Sequence, residues 1–321
     1  MQLKDIYEVV GGDLAKVDEE LNAVCEVSPQ WLSEMLEHGI KGAGKRIRPS
    51  LTLLCGKLYK YDLSVLLPMA ISIELMHTAT LIHDDAIDKS MIRRGKSTVY
   101  KVFGLEKTVL LGDYIFAKAG DEVADTHSIR AIKLFCQTLM IISQGELDQA
   151  RNLFNLYQTR EQYLKRIFSK TASLFSLSTE SGGILSQSPE GAIGALKDYG
   201  CNLGIAFQIV DDILDFTGTE QELGKPGGSD LAQGTLTLPA LLLNERYPKD
   251  NPVKRVFQSR GGYEDIKLAI EQVRNSDIVE ECYKFARGYA SRACSDLSPI
   301  TDTPTLRVLK DLTTYIVERN K

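Results

Sequence analysis

Two acidic triplets with the same spacing are the residues of this sequence best suited to chemistry. Each has the pattern Asp-Asp-x-x-Asp after an apolar run, and they consist of Asp84, Asp85 and Asp88 and of Asp211, Asp212 and Asp215. In a helix, the first and last aspartates of a triplet lie on one face, about 6 Å apart along the axis. Carboxylates that close repel each other, so a divalent cation is the expected third party, and their oxygen atoms suit Mg²⁺. Two such triplets on helices facing across a cavity would form one six-carboxylate metal site.

The alternative reading of either triplet is a solvated, charged helix end. A lone Asp-Asp-x-x-Asp motif is weak evidence of function. However, His83 and the run Leu75 to Ile82 predict that the segment before the first triplet is buried, and charges at the end of a buried helix are more often functional. The recurrence of the motif with the same apolar lead-in therefore favours a metal site.

Basic residues near the first triplet predict that the metal site handles phosphate. Arg93 and Arg94 follow it directly, and arginine can bind phosphate through two hydrogen bonds. Upstream, a glycine-rich stretch leads into Lys45-Arg-Ile-Arg-Pro49, where Pro49 fits the first turn of a helix. A loop that leads into a helix start is a good anion site. It is not a nucleotide-binding P-loop, because Arg46 stands where Ser or Thr should follow Gly-Lys.

Composition limits the classes of protein that this chain can be. It has 321 residues, 43% hydrophobic and 25% charged, which is typical of a soluble globular protein. The net charge of −5 argues against a nucleic-acid partner. Six scattered cysteines indicate a reducing, cytoplasmic location, and the N-terminus does not resemble a signal peptide. We read the apolar window Val65 to Ile82, which contains Pro68, Glu74 and His77, as a buried core helix and expect no transmembrane segment.

Helical periodicity runs through the whole chain, and no strand alternation is convincing. The pattern predicts a single all-α domain over residues 1–321, a large helix bundle, with helices over residues 48–60, 63–88, 106–125, 128–154 and 189–216. One turn before Asp84, the small residues Ala79 and Thr80 indicate either tight helix packing or an open tunnel beneath the metal site; Met76 lies a further turn down. Lys170, in an otherwise apolar helix, either reaches water or binds an anionic ligand. The acids of Gln144-Gly-Glu-Leu-Asp-Gln149 are interpreted as surface residues or as a second layer around the site.

Taken together, these residues resemble the trans-type polyprenyl diphosphate synthases, the prenyltransferases that elongate isoprenoid chains. The resemblance covers roughly residues 40–240 and rests on Gly44-Lys-Arg-Ile-Arg-Pro49, His83-Asp-Asp-Ala-Ile-Asp88, Arg93-Arg-Gly95, Ser169-Lys-Thr-Ala172, Phe207-Gln-Ile-Val-Asp-Asp-Ile-Leu-Asp215 and Leu223-Gly-Lys225. It implies the all-helical isoprenoid synthase fold around a central cavity, usually as a homodimer. It also implies that isopentenyl diphosphate condenses onto an allylic diphosphate (geranyl, farnesyl or geranylgeranyl) with release of pyrophosphate.

The resemblance implies a role for each motif residue. Asp84 and Asp88 would bind two Mg²⁺ ions and Asp211 a third, supported by Asp85, Asp212 and Asp215. The allylic diphosphate would be held by Arg93, Lys170, Thr171, Gln208 and Lys225, and the isopentenyl diphosphate by Lys45, Arg48, His77 and Arg94. Metal ions and cations would stabilise the departing diphosphate, so no side-chain nucleophile is required.

Product length follows from the residues before the first triplet. In this family bulky aromatics there close the tunnel in short-chain enzymes, whereas this chain has Ala79 and Thr80, with Met76 beyond. We therefore predict a long product, hexaprenyl to decaprenyl, such as a quinone side chain. The chain departs from the family pattern at Thr235, where a lysine is common.

Four alternatives share parts of this pattern. A terpene cyclase would be expected to carry an Asn/Ser/Glu-type second metal motif in place of Asp211–Asp215, and a non-catalytic subunit could lose the aspartates and arginines that this chain keeps. A shorter-chain geranylgeranyl synthase and the catalytic subunit of a two-component heptaprenyl diphosphate synthase remain open. An assay of the purified chain alone distinguishes these readings.

Overall fold

The computed structural model describes residues 7–41, 44–93, 95–219, 226–259 and 262–319. These residues are predominantly helical. In chain order the elements are α1 (Gly11–Ala23), α2 (Gln30–Ile40), α3 (Ile47–Gly56), α4 (Leu63–Ile87), β1 (Ile92–Arg93), β2 (Lys96–Ser97), α5 (Val99–Phe103), α6 (Leu105–Ala124), α7 (Ile129–Arg151), α8 (Arg160–Ile167), a π-helical turn (Phe168–Ala172), α9 (Ser173–Leu185), α10 (Glu190–Thr217), α11 (Ser229–Ala232), α12 (Leu238–Arg246), α13 (Pro252–Ser259), α14 (Tyr263–Arg274), α15 (Ile278–Asp296) and α16 (Pro304–Glu318).

The chain packs as two compact units whose segments interleave along the sequence. The first unit comprises Met1–Leu139, Leu174–Gly200 and Asp296–Leu312, and the second comprises Met140–Ser173, Cys201–Ser295 and Thr313–Lys321. The predicted all-α fold class is confirmed for the described residues. The assignment of the whole chain to a single domain stays a prediction.

Helix α4 carries the first acidic triplet and forms a core of the first unit. The carboxylate of Asp62 accepts a hydrogen bond from the backbone N–H of Ser64 at 3.0 Å, which caps the start of the helix. From Leu66 onward most of its side chains are buried, as expected for a helix that is apolar on nearly every face. By length and composition α4 is the one helix of the described chain that could cross a membrane, but 67% of its apolar window is buried inside the protein.

Sequence periodicity placed the helices that carry the site to within four residues at each end. Two of the short features that it missed bear on the site. Strands β1 and β2 form an antiparallel hairpin in which Arg93 pairs with Lys96, and Gly95 adopts a φ of +75° in its turn. The second feature is the π-helical turn Phe168–Ala172, which interrupts a run that sequence alone indicates to be a continuous helix.

Candidate active site

The first acidic triplet lies at the C-terminal end of α4. Asp84 is half-buried in the last turn, Asp88 is the exposed residue that follows the helix, and Asp85 is buried. Arg93 Nε donates to Asp85 Oδ1 at 2.9 Å. Burial raises the pKa of Asp85, and the charge of Arg93 opposes that rise. Because the C-terminal end of a helix carries partial negative charge, carboxylates placed there attract cations more strongly than they would elsewhere.

His83, directly before the triplet, fixes the end of α4 against α6. Its Nε2 donates to the carbonyl oxygen of Val109 at 3.0 Å, and its ring contacts Phe116 with 5.4 Å between ring centroids. This approach requires a glycine opposite, because a Cβ atom on Gly112 would lie 2.2 Å from His83 Nε2. The histidine therefore positions the helix end that presents Asp84.

The second triplet lies in the last two turns of α10. Asp212 is buried and takes two hydrogen bonds: Tyr163 Oη donates to Oδ2 at 2.8 Å and Gln208 Nε2 donates to Oδ1 at 2.9 Å. Burial and the nearby charge of Asp230 raise the pKa of Asp212 to about 7. Asp212 thus belongs to the interior of the second unit, where it holds side chains around it in place.

The remaining two aspartates of the second triplet have different surroundings. Asp215 is buried and accepts a hydrogen bond from Ser229 Oγ at 2.9 Å. The side chain of Asp211 is 41% exposed, and it pairs with Arg319, whose Nη2 lies 2.5 Å from Asp211 Oδ1. Of the three carboxylates, only that of Asp211 is therefore both partly open to solvent and paired with a cation.

The π-helical turn Phe168–Ala172 sets the position of Lys170. Turns of this kind inside α-helices are frequent at functional sites. Lys170 Nζ lies 2.8 Å from Glu146 Oε1 on α7. The two elements approach closely, since a Cβ atom on Gly145 would lie 2.5 Å from Ser169 Cβ.

Thr171 extends the hydrogen-bonded network of the second triplet. Its hydroxyl donates to Gln208 Oε1 at 2.6 Å, and the amide of Gln208 in turn donates to Asp212. The chain Thr171–Gln208–Asp212–Tyr163 therefore links the π-helical turn to the acidic motif of α10. Each partner fixes the orientation of the next, including which side of the Gln208 amide carries its oxygen.

The basic residues around α3 divide between structural and open positions. Arg46 adopts a left-handed conformation with φ of +52° and binds Glu74 at 2.6 Å and Asp18 at 2.8 Å, so it holds the backbone in place. Lys45 is exposed. The guanidinium of the half-buried Arg48 stacks on the ring of Phe175, 4.8 Å from its centroid.

The other predicted site residues are placed as follows. His77 is half-buried on α4; Met76 and Ala79 are fully buried; and Thr80 is half-buried, with its hydroxyl donating to the carbonyl oxygen of His77 at 2.7 Å. Arg94 and Lys225 lie outside the described residues. Within the described ranges, no three histidine, cysteine, aspartate or glutamate residues are grouped closely enough to hold a metal ion.

Three residues of this region escaped the sequence reasoning. Tyr163 holds Asp212, Arg319 holds Asp211, and Glu146 pairs with Lys170. Of these three, only Glu146 could have been found from sequence, because it lies in the acidic stretch 144–149 that we interpreted as surface or as a second layer around the site. The two others are distant in sequence from the carboxylates that they contact.

Comparison with known proteins identifies the class of enzyme. The fold, with an acidic triplet at the end of two helices, is that of the isoprenoid synthases. The chain belongs to the polyprenyl synthetase family, whose family model matches residues 29–273. The predicted family and enzyme class are thereby confirmed: this chain is a polyprenyl diphosphate synthase, an enzyme that transfers prenyl groups.

Three similar proteins illustrate the relationship over the whole chain. Component 2 of the heptaprenyl diphosphate synthase of Geobacillus stearothermophilus is 35% identical over 323 residues, covering 100% of both chains. The decaprenyl diphosphate synthase of Rhodobacter capsulatus has a TM-score of 0.92 at 34% identity and 100% coverage of both chains. The polyprenyl synthase of Caulobacter crescentus CB15, solved in complex with calcium and isoprenyl diphosphate, has a TM-score of 0.95 at 31% identity, covering 100% of this chain and 98% of that one. The names of the first two relatives agree with the predicted long-chain type.

Proposed function

We propose that this enzyme condenses isopentenyl diphosphate onto an allylic diphosphate and repeats the step to give a long linear prenyl diphosphate. In each cycle the bond between the allylic carbon and the diphosphate oxygen breaks, and the isopentenyl double bond attacks that carbon. A proton is then lost from the isopentenyl unit to the released pyrophosphate. Support comes from relatives named for heptaprenyl and decaprenyl products and from a relative solved with isoprenyl diphosphate.

Magnesium is the metal that fits the donor atoms. We propose Asp84, Asp88 and Asp211 as its ligands, with three ions per site, because they are the less buried carboxylates of the two triplets and offer hard oxygen atoms. Few protein ligands are needed, since Mg²⁺ usually keeps waters and completes its shell with substrate phosphate. Bound there, the ions would neutralise charge on the diphosphate leaving group. A relative was solved with calcium, which takes the same class of ligand.

Three of the groups that we assign to the allylic diphosphate lie near the second triplet or in the π-helical turn that contacts it. Lys170, held by Glu146, supplies a charge, and Thr171 and Gln208 supply polar groups that the network with Asp212 keeps in fixed orientations. Arg93 and Lys225 complete this proposed set. Lys45, Arg48, His77 and Arg94 are proposed to hold the isopentenyl diphosphate.

Product length is the observation that separates the long-chain proposal from a geranylgeranyl synthase. Ala79 is fully buried in α4 and Thr80 half-buried, so no bulky side chain at either position blocks a growing prenyl chain. The test is Ala79→Leu, which should shorten the main product by at least one isoprene unit. Ala70→Leu is the matched control: Ala70 is equally buried in α4 and lies on the opposite face by helical spacing, so it carries a similar packing cost without shortening the product. Equal products from both variants, or a short product from the wild type, would contradict the assignment.

We further propose that the enzyme acts as a homodimer in the cytoplasm. Helix α6 presents an exposed apolar stripe consisting of Leu105, Val109, Leu110 and Tyr114, which suits a second copy of the chain. Within the described residues, no disulfide joins the six cysteines, which agrees with a reducing compartment. One relative is named as component 2 of a synthase, which favours a second candidate: the catalytic subunit of a two-component enzyme.

One assay tests the reaction and separates these candidates. The purified chain is incubated with Mg²⁺, farnesyl diphosphate and labelled isopentenyl diphosphate, and the products are separated by length. Long linear products from the chain alone support the proposal. No turnover alone with turnover after addition of a partner subunit selects the two-component enzyme, and a cyclic hydrocarbon would overturn the elongation reaction.

A further inference from the structure

Arg319 is hydrogen-bonded to Asp211, the carboxylate of α10 that we assign to the metal site. It follows α16, and its side chain is 6% exposed, against 41% for that of Asp211. Its Nη2 donates to Asp211 Oδ1 at 2.5 Å and to the carbonyl oxygen of Phe207 at 2.9 Å. Its guanidinium also stacks on the ring of Phe207, 3.7 Å from the centroid. A cation therefore already lies on the carboxylate oxygen where a metal ion would bind.

The hydrogen-bonding capacity of the Arg319 guanidinium is only partly satisfied. Its Nε is buried and has no hydrogen-bond partner within the described part of the chain. A buried donor without an acceptor costs free energy, and more so in a charged group. The guanidinium therefore gains an ion pair and an aromatic contact while leaving one donor unpaired. A group bound in this way can be displaced by a ligand that binds the carboxylate more strongly.

The two neighbouring aspartates are buried and hydrogen-bonded, whereas the side chain of Asp211 is partly exposed. Asp212 is held by Tyr163 and Gln208, and Asp215 by Ser229. Asp211 lies near the C-terminal end of the 28-residue helix α10, where partial negative charge accumulates. An unneutralised carboxylate there would be repelled by the helix end, and Arg319 removes that repulsion.

We propose that Arg319 is a placeholder for the metal ion at Asp211: it neutralises the carboxylate in the ligand-free enzyme and leaves when a divalent cation arrives with diphosphate. The proposal rests on the assignment of Asp211 as a metal ligand. Because only the state with Arg319 displaced can bind metal at that oxygen, the ion pair lowers the apparent metal affinity by the fraction of molecules in that state. Metal binding then also breaks the ion pair that holds Arg319 against α10.

The test is the Mg²⁺ requirement of diphosphate binding, measured without turnover. The purified protein is held at a fixed concentration of inorganic diphosphate, Mg²⁺ is titrated, and the thermal unfolding midpoint is recorded. Arg319→Gln removes the competing charge and should lower the half-saturating Mg²⁺ concentration about three- to tenfold, the range for a hydrogen bond to a partly exposed charged group. It should also lower the unfolding midpoint of the metal-free protein.

Two further variants sharpen the comparison. Phe207→Leu removes the aromatic surface beneath the guanidinium but keeps both charges, so it should lower the Mg²⁺ requirement by about twofold, as loss of a cation–π contact implies. Arg307→Gln is the matched control: Arg307 lies on α16, the helix that Arg319 follows, its side chain is 69% exposed, and it pairs with Asp302. It should leave the Mg²⁺ requirement unchanged.

The outcomes separate this inference from the proposed function. If the wild type is stabilised by Mg²⁺ with diphosphate but Arg319→Gln and Phe207→Leu need as much Mg²⁺ or more, the placeholder is wrong while the metal site stands. If Arg319→Gln does not fold, Phe207→Leu decides between the two. If the wild type gains no stability from Mg²⁺ with diphosphate, the metal assignment of Asp211 fails, and the placeholder fails with it.

Discussion

Replacement of Tyr163 by phenylalanine tests whether the buried network of α10 organises the active site. Tyr163 is fully buried, and its hydroxyl donates to Asp212 Oδ2 at 2.8 Å. The substitution removes one oxygen atom without changing the shape of the ring. Within the described part of the chain, Asp212 then keeps one hydrogen bond, from Gln208, which also links to Thr171. We therefore expect loss of both stability and diphosphate binding.

The size of each effect follows from these contacts. A buried acceptor that loses its donor costs about 1–3 kcal/mol of stability. Tyr163→Phe should therefore lower the free energy of unfolding by about 2 kcal/mol. Freer motion of Gln208 and Thr171 should raise the KM for the allylic diphosphate and lower kcat, together reducing kcat/KM about tenfold, which equals about 1.4 kcal/mol.

Tyr199 provides the matched control. It is also fully buried, and its hydroxyl donates to a neutral acceptor, the carbonyl oxygen of Leu309, at 2.8 Å. Tyr199→Phe should cost about 1 kcal/mol of stability and leave the kinetics unchanged. Chemical denaturation and steady-state kinetics on both variants give the comparison. The reasoning is refuted if Tyr163→Phe retains wild-type kcat/KM, or if Tyr199→Phe impairs catalysis to the same degree.

Two further predictions concern the first unit. Gly112→Ala places a Cβ atom 2.2 Å from His83 Nε2, so the imidazole must move and the Mg²⁺ requirement of the enzyme should rise. Gly120→Ala in the same helix is the control, because no atom lies within 4 Å of the added Cβ and the change should be neutral or stabilising. Equal Mg²⁺ requirements for the two variants would contradict the role of His83. Burial raises the pKa of Asp13, but hydrogen bonds led by the one from Tyr61 outweigh it and hold that pKa below its usual value. Asp13 therefore stabilises the fold above roughly pH 4, and the effect is lost as pH falls through the lowered pKa. Denaturation against pH should show Asp13→Asn less stable than wild type at neutral pH and equal to it in acid, and a constant gap would contradict this.

The helices and the acidic triplets could be predicted from sequence because both depend on local spacing. Apolar residues recur with helical periodicity along α4 and α10, and each triplet follows such a run within the same helix. The partners of the triplets could not be predicted in this way. Tyr163 precedes Asp212 by 49 residues, and Arg319 follows Asp211 by 108, so only the folded chain brings them together.

The state of Lys170 was also beyond sequence reasoning, which left open whether it reaches water or binds an anion. The structure shows a third possibility, an ion pair with a neighbouring carboxylate. Lys170 lies in a π-helical turn and pairs with Glu146, and the close approach of α7 depends on the absence of a side chain at Gly145. The ion pair with Glu146 fixes the position of the lysine ammonium group, which is a donor suited to a phosphate oxygen.

The two triplets share one spacing, yet they present different numbers of carboxylates to the outside, and helical geometry explains part of this difference. In α4, Asp85 lies one turn after the buried Ile82, whereas Asp84 and Asp88 share another face. In α10, Asp212 likewise follows the buried Ile209 by one turn.

By the same rule Asp211 and Asp215 should share an open face, but Asp215 is buried because the residues at the start of α11 cover it, with Ser229 donating to its carboxylate. The second triplet therefore keeps Asp211 alone as a carboxylate partly open to solvent. This asymmetry is why we assign two metal ligands to the first triplet and one to the second. It also concentrates the competition between arginine and metal on a single oxygen atom of Asp211.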